Sequence, residues 1–101
     1  MIDELTSGDF APHLHETFRI DLGSNTIIDL ELIAVTDLNP ATAAKLEGRR
    51  PFTIEFLGPV SQQYLSQHIY RLEHAAFDAL EIFLVPLGWQ DGRMRYEAIF
   101  N

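Results

Sequence analysis

The sequence predicts an all-β fold: a single-domain, six-stranded antiparallel Greek-key barrel or sandwich with one or two short helical turns. Three observations carry this expectation. Runs rich in β-branched and aromatic residues recur along the chain, separated by turn signals and without a long helical period. The last third, Leu80 to Asn101, holds two such runs around Asp91-Gly92, one of the strongest short-range hairpin signals. The chain has 101 residues, 47% of them hydrophobic and 22% charged, which is enough for one core and one domain over residues 1–101.

Taken in order, residues 1–13 predict a single helical turn followed by loop, with Leu5 and Phe10 pinning it to the core. Leu14 to Ile20 predicts a strand with Leu14, Phe18 and Ile20 nearly in phase, and Gly23-Ser24-Asn25 a turn. Thr26 to Asp37 alternates with Ile28, Leu30 and Leu32 inward. Its phase then shifts to Ile33 and Val35, which places a bulge near Leu32 to Ala34. Asn39, Pro40 and Gly48 punctuate a short helix, but only Leu46 in it has anything to bury, so a mobile insert loop fits equally.

Phe52 to Leu57 predicts the next strand, with Phe52, Ile54 and Phe56 inward, ended by Gly58-Pro59. Ser61 can cap one helical turn over Gln62 to Leu65. Gln67 to Glu73 alternates His68, Tyr70 and Leu72 against Ile69, Arg71 and Glu73, and His74 to Ala79 connects to the closing hairpin. A two-residue turn at Asp91-Gly92 sets Gln90 opposite Arg93, Trp89 opposite Met94, Leu87 opposite Tyr96, Val85 opposite Ala98 and Phe83 opposite Phe100. The eight residues from Trp89 to Phe100 in that set then share one face. Leu80, Ile82 and Leu84 make the other face of the first strand apolar, which predicts a strand covered on both sides. Pro86 marks its end or a bulge.

Charge and cysteine content exclude several roles. The net charge is -8; residues 1–48 carry nine acids against Arg19 and Lys45, and residues 49–101 six acids against five arginines. Nucleic acid and anionic lipid therefore make poor partners. No apolar run reaches membrane-spanning length. The absence of cysteine removes disulfides, cysteine nucleophiles and thiolate metal sites. The opening Met-Ile-Asp-Glu-Leu-Thr carries acids where a secretory signal needs basic residues, so the cytoplasm is the expected location.

Candidate chemistry is sparse. His13-x-His15 has metal-like spacing, but the acid and the later histidine that a cupin-type site needs are missing, and Glu16 points away if the segment is extended. These histidines read better as surface or turn residues, and no metal or cofactor is expected. Tyr70, Glu73, His74 and Glu97 could form an acid–base cluster. A local reading competes with it: Glu73 pairs with Arg71 or Arg95, and His74 bonds backbone. No Gly-x-Ser-x-Gly elbow and no phosphate loop occurs. Gln62, Gln63, Tyr64, Gln67, Tyr70 and Trp89 make a polar-aromatic group suited to an interface, although Trp89 could equally be a lid on the core.

Four segments carry a family resemblance: Arg50-Pro51-Phe52-Thr53-Ile54-Glu55-Phe56-Leu57-Gly58-Pro59, Leu65 to His74, Ile82-Phe83-Leu84-Val85-Pro86, and the closing Tyr96-Glu97-Ala98-Ile99-Phe100-Asn101. Through them the chain resembles a short bacterial domain family of unknown function, departing from it at His68, where relatives usually have Gly after the Gln. The resemblance implies the fold and no catalytic residues. Its association with gene neighbourhoods of phage-tail-like proteins implies an accessory or structural role.

Together these readings favour a non-enzymatic interaction or structural module that binds a protein partner or itself. Gln67, Tyr70, Glu73, His74, Trp89, Tyr96 and Glu97 form the expected interaction or ligand surface. The C-terminal strand, if it lies at a sheet edge, offers a pairing site. The alternative is a small-ligand-binding β-barrel, or an acid–base enzyme using Tyr70, Glu73, His74 and Glu97.

Overall fold

The computed structural model describes residues 5–37 and 51–100. The expectation for residues 39–48 lies outside these. Six antiparallel strands close into a barrel: β1 (Thr17–Gly23), β2 (Thr26–Asp37), β3 (Phe52–Val60), β4 (His68–His74), β5 (Phe77–Gln90) and β6 (Arg93–Phe100). Neighbours run β1-β2-β3-β6-β5-β4 and back to β1. Two three-stranded meanders are thus joined through β3–β6 and β4–β1, and the loop after β3 crosses one mouth of the barrel.

Local chemistry sets the turns. Ser24 and Asn25, and likewise Asp91 and Gly92, all have positive φ. Both two-residue turns therefore have the backbone twist that matches the flanking strands. β4 and β5 are joined more tightly than the sequence suggests: His74 pairs with Phe77, leaving only Ala75 and Ala76 in the turn. The bulge in β2 falls where the phase shift predicts it, between Leu32 and Ala34. β1 begins at Thr17, not Leu14, because Pro12 opens a 3-10 turn over Ala11–His13 that carries Leu14 out to the surface. Ser61 makes a tight turn rather than a helix cap, its hydroxyl accepting the Gln63 N–H.

The closing hairpin corrects the sequence register. Gln90 faces Arg93 and Trp89 faces Met94 as expected, but Tyr96 lies opposite Pro86 and Glu97 opposite Val85. Leu87 is the extra residue. Pro86 has no N–H for a ladder, and Gly88 takes a φ of +154° that eases the bend. One added residue swaps every face beyond it. Leu80, Ile82 and Leu84 therefore point inward with Met94, Tyr96, Ala98 and Phe100, while Phe83 turns outward. β5 is consequently not covered on both sides: Phe83, Leu87 and Trp89 are each about half exposed.

The interior is filled from both meanders by Phe18, Ile20, Leu30, Leu32, Ile54, Phe56, Leu72 and Leu84, all at 1% exposure or less. A short helix α1 (Ser7–Phe10) and the 3-10 turn cover the end of the barrel away from the 61–67 loop. The Asp9 carboxylate reaches back to the Thr6 N–H at 2.7 Å and holds this start in place. Phe10 then enters the core against Phe18, Phe52, Phe77 and Phe100, at ring-centroid distances of 4.9–6.4 Å. Burying one such ring contributes on the order of 1.5–3 kcal/mol. β6 lies between β3 and β5 and is not an edge, so the expected pairing site there does not exist. Closure is thinnest at β1–β4, which carries two pairs, Arg19 with Glu73 and Ile20 with Leu72.

Candidate functional site

Beyond Ile20 the β1–β4 seam has no further pairs. A pocket of about 230 Å³ opens at that mouth of the barrel. Leu22, Thr26 and Ile28 line one side, Pro59, Ser61, Gln63, Tyr64 and Leu65 the other, and Tyr96 the floor. Tyr96 is 2% exposed. Its hydroxyl oxygen accepts the Leu65 N–H at 2.8 Å, which ties the crossing loop to β6. Burial raises the Tyr96 pKa, the Leu65 N–H partly offsetting this, so the phenol stays neutral.

The rim is apolar and exposed. Tyr64 meets Trp89 edge-on at 5.8 Å. Leu22, Ile27 and Val60 are likewise left open to solvent. The 91–92 turn borders the same mouth, since the Ser61 N–H donates to the Gly92 carbonyl at 3.2 Å. Asp21 and Asp91 add exposed negative charge there.

A second cluster sits at the opposite end. Glu16 Oε1 accepts from His13 Nδ1 at 2.8 Å and from His74 Nε2 at 2.7 Å. His74 stacks on Phe18 at 4.5 Å, and His13 meets Phe77 edge-on. These donors, led by His13, hold the Glu16 carboxyl below the ordinary carboxylate range. The donor atoms of the three residues lie within 4.8 Å of one another, close enough to raise the question of a metal. The hydrogen bonds favour a structural role. His74 Nδ1 accepts the Ala76 N–H at 3.0 Å, so its proton must sit on Nε2. A metal on Nε2 would drive that proton to Nδ1, against the Ala76 N–H, so this hydrogen bond opposes ligation. The cluster is a hydrogen-bonded brace between the N-terminal turn and the β4–β5 turn.

Only some of the residues expected from the sequence come together. Tyr96 and Trp89 share the mouth, joined by Gln63 and Tyr64. Tyr70 is half-buried and donates to the Ser66 carbonyl at 2.7 Å, and Gln67 is exposed beside it before β4. Glu73 and His74 lie at the far end of β4, beside a shallow depression shared with Thr17 and Arg19. Glu97 stands on β6 opposite Glu55 and Val85, away from them. Tyr70, Glu73, His74 and Glu97 therefore share no single site. Nor does Glu73 pair with Arg71 or Arg95: Arg95 binds Glu55, and Glu73 faces Arg19 across the seam.

Glu16 was missed because an extended segment would have aimed it away from His13. Pro12 was the available signal, since a 3-10 turn places residues 13 and 16 on one face. Leu22 and Pro59 carried no signal, because their proximity comes from barrel closure. Ile28 did, through its inward phase.

No curated protein and no solved structure matches the chain. A family model does, over residues 5–100: Domain of unknown function (DUF6916).

Proposed function

The chain belongs to the DUF6916 family, which brings no activity with it, and we propose that it is a non-enzymatic protein-interaction module. The observation that carries this reading is the mouth pocket, apolar within, ringed by exposed Leu22, Tyr64 and Trp89, and of a size for one bulky side chain. Aromatic residues with one apolar and one polar end are the side chains that interfaces favour.

The occupant is a segment of a partner protein, a bulky apolar residue flanked by Lys or Arg. Charge complementarity argues for the flanks: Asp21 and Asp91 border the mouth, and the chain as a whole carries -8. An accessory place in a larger, phage-tail-like assembly follows from the family resemblance alone. A cytoplasmic setting fits the cysteine-free composition, and no helix among the described residues is long and apolar enough to cross a membrane.

Peptide selection tests the reading. A random library panned on the intact chain, with Leu22→Asp protein as the counter-selection, enriches a bulky apolar residue with basic neighbours. A selection that returns no binder, or binders indifferent to Leu22→Asp, overturns it. A concentration-dependent dimer abolished by Leu22→Asp would make the occupant a second copy instead.

The pocket also supports a second reading, a barrel that holds a small ligand at its mouth. Competition between a selected peptide and a small aromatic probe separates the two.

A further inference from the structure

We infer that the mouth pocket recognises its occupant through the Tyr96 hydroxyl, which donates to a neutral oxygen acceptor at the tip of an otherwise apolar group. This deepens the docking reading and rests on it.

A phenol has one proton to donate and oxygen lone pairs to accept with. The Tyr96 oxygen uses its accepting side for the Leu65 N–H at 2.8 Å. Its own proton meets no acceptor among the described residues, although the side chain is almost wholly buried and lines the pocket floor. Buried polar groups are nearly always paired, so a donor left over at the base of a pocket points to what enters it.

The lining decides the charge of that acceptor. Leu22, Ile28, Pro59 and Leu65 are apolar, the remaining residues are neutral and polar, and none is a cation. A carboxylate placed here would give up its water for neutral donors alone, with no cation to offset its charge, which disfavours it. A wholly apolar tip would leave the hydroxyl unpaired. A neutral oxygen at the end of an aromatic stem satisfies both conditions; a tyrosine of the docking segment carries one, and an aryl ketone mimics it. Sites that bond a ligand atom discriminate sharply against the analogue that lacks it.

Three probes of similar shape test this on the intact chain: acetophenone, isopropylbenzene and benzoate. Binding is read from ¹H–¹⁵N shifts of the mouth amides, Leu65 above all. Acetophenone should bind roughly tenfold more tightly than isopropylbenzene and move the Leu65 amide, with benzoate weakest. Tyr96→Phe should remove the preference while isopropylbenzene still binds. Should that variant fail to fold, the wild-type ranking decides alone. Equal binding of acetophenone and isopropylbenzene, tightest binding by benzoate, or mouth amides unmoved by all three overturns the inference. A peptide seated at the mouth without any carbonyl preference removes the role of the hydroxyl and leaves the docking reading standing; no peptide and no probe removes both.

Discussion

The Leu65 N–H and the Tyr96 hydroxyl meet across the mouth of the barrel at 2.8 Å, a contact between residues 31 apart in sequence. This hydrogen bond joins the crossing loop to β6. Tyr96→Phe leaves the half-buried Leu65 donor unpaired, so a loss of about 1 kcal/mol is expected. For a chain of this size that is a fall in Tm of about 4–8 °C. Thermal melts followed by circular dichroism check it, and the Leu65 amide should exchange faster with solvent. An unchanged amide would mean that this hydrogen bond is not what holds the loop.

Gly58 bears on the same tyrosine from below. A Cβ at this position would lie 3.2 Å from Tyr96 Cε2 and 3.5 Å from the Met94 carbonyl oxygen. The ring must move to make room, which costs about 1–3 kcal/mol in a packed core. Gly58→Ala should therefore lower the denaturation midpoint and shift the Tyr96 ring resonances. A midpoint equal to wild type would show that the ring yields freely into the pocket.

Acid should expose the brace at the other end. Glu16 has a folded pKa below its ordinary 4.5, owing first to His13 and then to His74. A carboxyl of this kind contributes its stability above the unfolded value, and loses it as pH falls through the folded one. The difference in unfolding free energy between wild type and Glu16→Gln should thus be present above the ordinary carboxylate value of 4.5 and shrink as pH falls below it. Urea titrations at several pH values measure it. A difference that grows in acid would reverse the sign and discard the explanation.

The legible part of this fold is the part written in local chemistry. Asp91-Gly92 and Ser24-Asn25 announce their turns, and the alternation of Phe52, Ile54 and Phe56 announces a strand with one buried face. The bulge in β2 could be read because the apolar phase itself slips. The bulge at Leu87 could not, because apolar residues stand on both faces of β5, and either register buries something. Only the barrel decides between them, by needing Leu80, Ile82 and Leu84 inside. Site residues divide in the same way. Trp89 and Tyr96 could be picked out by residue type, whereas Leu22 and Pro59 reach the pocket through closure between distant strands. Glu16 reaches His74, 58 residues away, through a 3-10 turn that only Pro12 hinted at.

The tautomer of His74 carries a prediction about metals. With Nδ1 accepting from Ala76, the Nε2 proton should be visible in long-range ¹H–¹⁵N spectra at neutral pH. Zinc added in modest excess should leave that pattern and the Tm unchanged, since binding through Nε2 would set an Nδ1 proton against the Ala76 N–H. A zinc-dependent rise in Tm that is lost in His74→Ala would show that the turn can rearrange and the three residues can ligate.

Leu22 separates folding from docking at the mouth. It lies beyond the last β1–β4 pair, at 46% exposure, with its side chain on the pocket wall. An exposed position outside the core tolerates polar change, so Leu22→Asp should alter stability by no more than about 0.5 kcal/mol. Binding should respond quite differently, because a carboxylate on an apolar wall must be desolvated whenever an apolar group enters. Peptides selected on the wild-type chain should lose at least about tenfold in affinity, a change of about 1.4 kcal/mol, for a variant that melts with the parent. Isothermal titration beside thermal melts separates the two quantities. A variant that binds like wild type would place the docking surface elsewhere, and the outward Ile69, Phe83 and Ile99 would be the next apolar residues to substitute.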